Sequence, residues 1–446
     1  METIIQSAWS KSKLLVKGLI IGILVLLLQI PALYVRELID ERQQRQKEAI
    51  TEVSDKWAGR QTIAGPMVVL PYWNDADTSA GRKRQKELAY FLPHQLNIHA
   101  TVTPQEKYRG IYKVMLYRSK IRVSGHFREA DLAKLNIDPQ SVLWNEAYLR
   151  FDLSDLKGLH EEMTMTWKDR QYALSPQTTD ATSSVNGLYT PLAITGIGDL
   201  QNATFSSDLS LNGSEQLRFT PLGKVTKVDL VSTWPHPSFT GNILPQVSHV
   251  KDSGFTAQWK SLAHNRSFPQ QWKNQDFILA APGHMAVPEA RNVAAFSFGA
   301  DLFVPVNAYQ KTERSVKYAA LCILLTFAAF FLIETTNRKS VHPFQYALVG
   351  LALIMFYTLL LSFSEYIGFN LSYAIASVCT IMLIGWFARS ILSSMRLATI
   401  LSTVLVLMYL YVFTILQLQD YSLLFGSIGL FITLAVVMYF SRKIEW

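Results

Sequence analysis

The carboxyl-terminal part of the chain consists of long apolar runs separated by short polar breaks. Five runs carry no charged residue, at 318–333, 343–364, 370–388, 397–419 and 421–441. An α-helix of about 20 residues crosses a hydrocarbon core about 30 Å thick. Transmembrane β-strands would instead alternate apolar and polar residues, which these runs do not. With a further apolar run near the amino terminus, the pattern predicts a membrane α-helical bundle of six spans: 18–35, 317–334, 343–364, 370–388, 397–418 and 421–441.

The polar breaks between the runs differ in charge in a regular order. Breaks 365–369 and 417–421 contain no Lys or Arg, and three lysines precede the first run. Basic residues occur in the alternate breaks and at the carboxyl end: Arg338 and Lys339, Arg389 and Arg396, and Arg442 and Lys443. Because basic segments stay in the cytoplasm, we expect residues 1–17 and 442–446 to be cytoplasmic and residues 36–316 to lie on the opposite side.

The first apolar run has a second interpretation, which is a cleaved signal peptide. Such peptides end in a small-x-small cleavage site. This run ends instead with QIPAL at residues 29–33. We therefore favour an uncleaved anchor over residues 18–35.

The segment after the first span changes from a helical to a two-residue period. Residues 36–58 are rich in charge and lack Gly and Pro, which predicts an amphipathic helix. Residues 59–316 alternate short period-two runs with turn residues. The strands predicted are 63–72, 87–92, 95–103, 111–116, 120–127, 147–153, 163–167, 203–211, 216–220, 225–233, 255–259 and 293–298. Because strand follows strand, we expect a large antiparallel β-rich domain outside the cytoplasm, built as two packed sheets.

Charge and cysteine content narrow the possible functions. The net charge is +8, yet residues 36–316 hold 32 of the 42 basic and 29 of the 34 acidic residues. The excess positive charge therefore lies mainly at helix ends and does not form a nucleic-acid surface. Both cysteines, Cys322 and Cys379, fall inside predicted spans, so the outer domain has neither disulfides nor cysteine zinc sites. We expect no nucleic-acid partner, no metal and no other cofactor.

The motif Trp234-Pro235-His236-Pro237-Ser238-Phe239 is unusual in composition. Two prolines hold His236 in extended, non-helical backbone. One interpretation makes His236 a ligand or a proton donor on a rigid loop. The interpretation we favour makes Trp234 and Phe239 core anchors at a strand end, with the prolines ending the strand.

A second candidate is the pair Ser154 and Lys157, which matches the Ser-x-x-Lys spacing of penicillin-recognising enzymes. It raises the hypothesis of a periplasmic hydrolase. The sequence contains neither Ser-Asp-Asn nor Lys-Thr-Gly to complete such a site. We therefore expect no catalysis from this pair.

Ionisable residues within a membrane block are functional candidates by default. Glu334 and Glu365 lie at predicted span ends, where we expect water to reach them. A proton or ion path would need an ionisable group near the middle of a span, and the predicted spans have none there. We therefore favour simple interfacial solvation for both carboxylates.

Several strings of the sequence, in order along most of the chain, resemble the CreD-like inner-membrane proteins of Gram-negative bacteria. These strings are GP at 65–66, RGIY at 109–112, STWPHPSF at 232–239, SGF at 253–255, KYA at 317–319, HPFQY at 342–346, LVGL at 348–351 and SE at 364–365. They add His342 to the motif residues of interest. The resemblance implies an inner-membrane protein with a large periplasmic domain, linked to cell-envelope integrity and to envelope stress, including the response to β-lactams. It brings no established catalytic residue.

Our prediction is a non-enzymatic protein of the inner membrane that supports envelope integrity. Besides the lipid bilayer, the expected partner is an envelope protein or a peptidoglycan-related component bound by the periplasmic domain. The alternative is a transporter or lipid-handling protein that uses the six-helix bundle. Transporters often contain repeats and broken helices, and the sequence shows no convincing repeat.

Overall fold

The chain forms two compact units. In the computed structural model, the helical unit contains Met1–Lys47 and Val306–Trp446, and the β unit contains Glu48–Pro305. The structure describes residues 16–78, 81–128, 130–176, 186–274, 276–277, 292–302, 308–337, 340–418 and parts of 424–438.

Long apolar helices make up most of the helical unit. The first helical stretch, Val16–Trp57, has a turn at Leu28 that separates α1 (16–27) from α2 (Gln29–Trp57). The other helices are α3 (Ala308–Lys317), α4 (Ala319–Thr336), α5 (Pro343–Ile367), α6 (Phe369–Leu392) and α7 (Met395–Gln417). Within the described residues, five helical stretches are long and apolar enough to cross a membrane, namely Val16–Trp57 and helices α4 to α7.

These five stretches lie where five of the six spans were predicted. The sixth predicted span, 421–441, lies mostly outside the described residues, although residues 424–429 are helical. Helix α3 was not predicted. Its four buried residues, Tyr309, Thr312, Ser315 and Val316, recur at helical spacing among charged ones, so it buries one stripe as an amphipathic helix does.

Small residues permit close packing in the helical unit. A Cβ atom at Gly350 of α5 would lie 2.2 Å from Leu28 Cδ1 and 3.0 Å from Phe327 Cζ. The glycine thus lets the first helical stretch and α4 approach α5 closely, as small residues do between membrane helices.

The β unit consists of two sheets. The larger sheet contains β1 (Gln61–Thr78), β2 (Gly81–Phe91), β5 (Tyr148–Leu153), β8 (Ser175–Pro176), β9 (Asn186–Pro191), β11 (Gln216–Phe219), β13 (Pro237–Gly241), β16 (Gln271–Lys273) and β17 (Phe298–Leu302). The smaller sheet contains β3 (Gln95–Arg109), β4 (Tyr112–His126), β6 (Thr164–Trp167), β7 (Arg170–Ala173), β10 (Thr204–Ser214), β12 (Val225–Ser232), β14 (Val247–Lys251) and β15 (Gly254–Leu262). Their orders are β13-β17-β11-β1-β5-β9-β8, with β2 and β16 continuing from β1, and β14-β15-β12-β3-β4-β10-β6-β7.

Each sheet contains one parallel pairing. β1 pairs parallel with β11, and β12 pairs parallel with β3, whereas the other described pairings are antiparallel. The prediction of an antiparallel domain is therefore wrong at these two places. Parallel neighbours are joined by long crossover connections, which the local two-residue period does not reveal.

Residues of both sheets share one core. Leu96, Ile98 and Ala100 of β3 belong to the same buried cluster as Leu149 and Phe151 of β5. Alternate residues of each strand therefore face the opposite sheet, as expected for two packed sheets. The intervening residues of β5 lie on the outer face of the larger sheet.

Two predicted strand assignments were wrong in detail. The strands predicted at 111–116 and 120–127 form the single strand β4, in which Ser119 stays buried by donating to the Leu211 carbonyl at 2.8 Å. The strand predicted at 293–298 is a 3₁₀ turn over Val293–Phe296 followed by β17. The Asn292 side chain accepts a hydrogen bond from the Ala294 amide at 3.0 Å, and this local bond competes with strand pairing.

Candidate functional sites

The Trp234–Phe239 motif connects β12 of the smaller sheet to β13 of the larger one. β12 ends at Ser232 and β13 begins at Pro237, and Pro235 lies in the connection. Trp234 is buried in the shared core. Its indole Nε1 donates to the His236 carbonyl oxygen at 3.0 Å. The indole and the backbone of the loop therefore fix each other.

The other end of this motif is also anchored by aromatic packing. Phe239 meets Phe255 and Trp259 edge-on, with ring centroids 5.6 and 5.7 Å apart. The His236 side chain is exposed, and its ring lies 6.0 Å from the Trp234 ring. The structure thus assigns core-anchor positions to Trp234 and Phe239 and brings no second titratable side chain to His236 among the described contacts.

Glu334 near the end of α4 is buried and engages three groups. Its Oε1 forms an ion pair with Lys17 and accepts from the Val341 amide at 3.0 Å. Its Oε2 accepts from the Tyr346 hydroxyl at 2.8 Å. Lys17 also donates to the Val341 carbonyl at 2.7 Å. This cluster, which we call the Glu334 cluster, joins the first helix to α4, α5 and the loop between them.

Glu365 near the end of α5 has a similar environment. Its Oε1 accepts from the Tyr309 hydroxyl at 3.0 Å and lies 3.8 Å from Arg42 Nε. The Glu365 side chain is 8% exposed, whereas that of Arg42 is 36% exposed. This Glu365 cluster therefore repeats the combination of a carboxylate, a basic residue of the first helical stretch and a tyrosine.

Both carboxylates lie near helix ends, as predicted, but the expectation that water reaches them was wrong. The side chain of Glu334 is only 7% exposed. The basic partners come from the first helical stretch, and sequence spacing does not show which span packs on which. His342 belongs to neither ion pair; its Nδ1 accepts from the Phe344 amide at 3.2 Å and caps α5.

Three buried tyrosines, Tyr357, Tyr373 and Tyr409, were missed by the sequence analysis. Tyr357 lies on α5 between Tyr346 and Glu365. Tyr373 of α6 donates to the Tyr409 carbonyl of α7 at 2.9 Å. The amphipathic signal that would find such residues is weak in spans that are apolar on every side.

Ser154 and Lys157 have separate contacts. Ser154 Oγ accepts from the Thr62 amide at 2.6 Å and donates to the Arg60 carbonyl at 2.9 Å. Lys157 Nζ donates to the Asp55 carbonyl at 3.3 Å. The segment is a strand end followed by a 3₁₀ turn, so it lacks the α-helical turn that would set the two side chains together. The described geometry therefore gives the hydrolase hypothesis no support.

A cleft of about 670 Å³ in the β unit was not predicted. It is lined by residues of β1, β2, β5, β7, β8 and β9 and of the segment preceding β5. Tyr148 and Tyr189 line it, with ring centroids 5.5 Å apart. Lys86 and Glu146, which form an ion pair, also line it. The cleft thus combines aromatic walls with charged side chains.

Arg150 is the most deeply buried charged residue that lines this cleft. Its Nε lies 2.9 and 3.0 Å from the two carboxylate oxygens of Asp152, and the two side chains are 9% and 2% exposed. Burial lowers the pKa of Arg150, but the charge and hydrogen bond of Asp152 outweigh burial and leave that pKa above its usual value. Burial raises the pKa of Asp152, and Arg150 opposes that rise.

Arg150 and Asp152 do not stand out in the sequence. In YLRFDL the charged residues at 150 and 152 alternate with core residues, which is the pattern of an ordinary solvent-facing strand side. Only the burial of that side distinguishes it, and burial is a tertiary property.

Comparison with known proteins agrees with the presence of helices able to span a membrane. The family model described as "Inner membrane protein CreD" matches residues 13–446. The chain is also similar to the inner membrane protein CreD of Escherichia coli strain K12, at 30% identity over 427 residues that cover 95% of this chain and 91% of that protein. The chain belongs to the CreD family. The resemblance inferred from the sequence strings is therefore confirmed, and this member of an inner-membrane protein family has several helices able to span a membrane.

Proposed function

We propose that the chain is a non-enzymatic inner-membrane protein that supports cell-envelope integrity and the response to envelope stress. Its β unit would lie in the periplasm and bind an envelope protein or a peptidoglycan-related component. The observation that carries this proposal is the ligand-sized cleft in a β unit of a chain from an inner-membrane family. Ligand sites are commonly concave, with a few polar groups among apolar walls.

The proposed topology has six spans, including 421–441, and two cytoplasmic termini. The ion pairs of the helical unit support it. With alternating spans, Lys17 and Glu334 fall on the cytoplasmic side, and Arg42, Tyr309 and Glu365 fall on the periplasmic side. Each cluster therefore joins residues that the charge pattern of the breaks assigns to one side.

Topology is tested with single cysteines and a membrane-impermeant maleimide on spheroplasts. Lys168→Cys, at an exposed position of the β unit, is expected to react in intact spheroplasts. Ser394→Cys, in the break between α6 and α7, is expected to react only after permeabilisation. Cys379→Ala provides the background, since Cys379 is exposed whereas Cys322 is buried. Labelling in the reverse order would reject the proposed orientation.

Partner binding is tested by cross-linking in intact cells, purification in mild detergent and identification of what is recovered. A variant lacking residues 60–310 serves as the control. The proposal expects a specific envelope component that disappears with this deletion. Recovery of the same molecules from both proteins would reject a binding role for the β unit.

A transporter or lipid-handling protein remains the second candidate because of the two buried carboxylate clusters. Ionisable groups inside membrane proteins often mark substrate or ion pathways. Here Glu334→Gln and Glu365→Gln decide between the two functions. The leading proposal expects normal protein levels and nearly full envelope function from both variants, whereas complete loss of function at normal levels would favour transport.

A further inference from the structure

The outer face of the larger sheet contains the largely buried guanidinium of Arg150. Arg150 and Asp152 alternate along β5 with the core residues Leu149, Phe151 and Leu153, so they point away from the shared core. An arginine offers five N–H donors in a planar fork. The Nε–H is directed to Asp152, and no described residue accepts a hydrogen bond from Nη1 or Nη2.

The guanidinium is also held in place by an aromatic ring. Arg150 lies directly opposite Tyr189 in the β5–β9 register, and its Cζ is 5.6 Å from the centre of the Tyr189 ring. That ring folds back over Gly187, where a Cβ atom would lie 2.6 Å from the tyrosine hydroxyl oxygen. A glycine at this position therefore allows the ring to lie beside the guanidinium.

The cleft in front of Arg150 has the size of a small-molecule site. Its volume of about 670 Å³ lies within the usual range of roughly 300 to 1,000 Å³ for ligand pockets. Tyr148, Tyr189, Leu88 and Pro71 provide flat or apolar walls. Such walls suit a ligand with an apolar or planar part, and the Arg150 donors suit a planar acceptor at its end.

We propose that this cleft binds an organic carboxylate of ligand size, with its carboxylate held end-on by Arg150 Nη1 and Nη2 and its apolar part against Tyr148 and Tyr189. This inference rests on the proposed function, because it names the chemical class that the β unit recognises. The two N–H groups of an arginine fork match the two oxygens of a carboxylate.

The local charge favours a monoanion over a phosphate dianion. Arg150 is already paired with Asp152, and Lys86 is paired with Glu146, so these four side chains carry no net charge when ionised. A second negative charge on the ligand would meet the nearby Asp152 carboxylate without another described cation to balance it. A single delocalised negative charge on a planar group is therefore the better match.

The test uses the purified full-length protein in detergent and a matched pair of probes. 4-Phenylbutyrate carries a carboxylate and a flat ring, and 4-phenylbutyramide replaces the carboxylate by a neutral amide. Binding is measured by calorimetric titration and by ligand-observed NMR. We expect the carboxylate to bind about tenfold or more tightly than the amide, because hydrogen bonds to charged groups are the stronger ones. Phenyl phosphate is expected to bind more weakly than 4-phenylbutyrate.

Three variants connect the selectivity to the cleft. Arg150→Met removes the fork, and Arg150→Met with Asp152→Leu removes it without leaving a buried carboxylate, which protects the fold. Arg122→Met is the control, because Arg122 forms an exposed ion pair with Asp208 on the smaller sheet. We expect both Arg150 variants to lose the preference for the carboxylate and Arg122→Met to keep it.

Equal binding of acid and amide by the native protein, no binding of either, or preserved selectivity in the folded double variant would each overturn the inference. A separate measurement keeps the proposed function distinguishable from it. If the native protein shows no preference for the carboxylate while the 60–310 deletion still loses the envelope partner, the function stands and the carboxylate site is rejected. Loss of that partner in the double variant but not in Arg122→Met would support both.

Discussion

Each unit of the molecule contains a partly or fully buried ion pair, but the two pairs are built differently. In the β unit, Arg150 and Asp152 are two residues apart on one strand. In the helical unit, Lys17 and Glu334 are separated by 317 positions and lie on different helices. The first pair arises from the alternation of a single strand, whereas the second exists only when distant segments have packed.

The difference also concerns which donors and acceptors are satisfied. Glu334 forms an ion pair with a lysine and accepts hydrogen bonds from an amide and a tyrosine hydroxyl. Both of its carboxylate oxygens therefore have partners within the protein. Arg150 directs only its Nε to a described residue. A saturated pair acts as a connection between helices, and an unsaturated one can receive another molecule. Burial of a charge therefore does not by itself indicate a binding function; the hydrogen-bonding capacity that remains on the buried group does.

The largest expected effect is that of Arg150→Met on the stability of the β unit. Removing one partner of a buried pair typically costs about 3 to 5 kcal/mol, because the other charge stays buried. Asp152 already has a raised pKa, and the variant should raise it further. An acid whose folded pKa is raised stabilises the fold below that pKa and less so above it. Thermal unfolding at pH 5 and pH 8 should therefore show a larger loss at pH 8, and a loss independent of pH would contradict this account.

Lys17→Met tests the saturated pair. We expect a somewhat smaller loss, about 2 to 3 kcal/mol, because the Lys17 side chain is 21% exposed and exposure weakens ion pairs. Unfolding of the purified protein in detergent is the measurement. The double variant Lys17→Met with Glu334→Leu is the control and should recover part of the loss. Strictly additive effects of the two single changes would show that the residues are not coupled.

Glu365→Gln should have a smaller effect, of about 1 kcal/mol or less. Arg42 is more than one-third exposed and its Nε lies 3.8 Å from the carboxylate, and such pairs contribute little. The glutamine retains an oxygen that can accept from Tyr309. Tyr309→Phe in the same background separates the hydroxyl contact from the charge. A loss as large as that of Lys17→Met would show that the two clusters of the helical unit are equivalent.

The smallest expected effect concerns Asp199, whose hydrogen-bond donors lie within four residues and whose Oδ1 lies 3.6 Å from Lys168 Nζ. Asp199 accepts hydrogen bonds from the Thr195 amide and hydroxyl at 2.8 and 3.0 Å. These two hydrogen bonds, the one from the amide most strongly, lower the pKa of Asp199. Its contribution is present above the unfolded pKa and is lost as pH falls through the folded one. Asp199→Asn should therefore cost about 0.5 kcal/mol at pH 7 and make no difference near pH 2, as read by chemical unfolding. A loss of stability that is larger at low pH than at pH 7 would contradict this expected pH dependence.

Much of the architecture could be predicted because it depends on local patterns. Charge-free runs predict the positions of the spans, and the two-residue period locates β5 and β12 to within about one residue. The aromatic anchors of the Trp234 motif follow from two prolines at a strand boundary. The conformations of these segments are determined mainly by residues within a few positions.

What could not be predicted depends on long-range packing. The sequence shows Glu334 at a span end but not that Lys17 reaches it. It shows Arg150 on the polar side of a strand but not that this side is covered. The parallel pairing of β1 with β11 likewise joins segments more than 100 positions apart. The candidate cleft was therefore missed entirely, although each of its strands except β7 to β9 was at least partly predicted.

The Lys17–Glu334 contact has a consequence for the order in which the protein assembles. Glu334 follows Lys17 by 317 residues. At translation rates of about 5 to 20 residues per second, Glu334 is therefore synthesised tens of seconds after Lys17. During that interval the first helix has none of the groups that α4, α5 and the loop between them supply to the cluster. Closing so long a loop costs about 0.6 kcal/mol for every doubling of its length, so the contact forms late. A chain arrested before α4 is synthesised thus lacks every contact that the Glu334 cluster provides to its first helix.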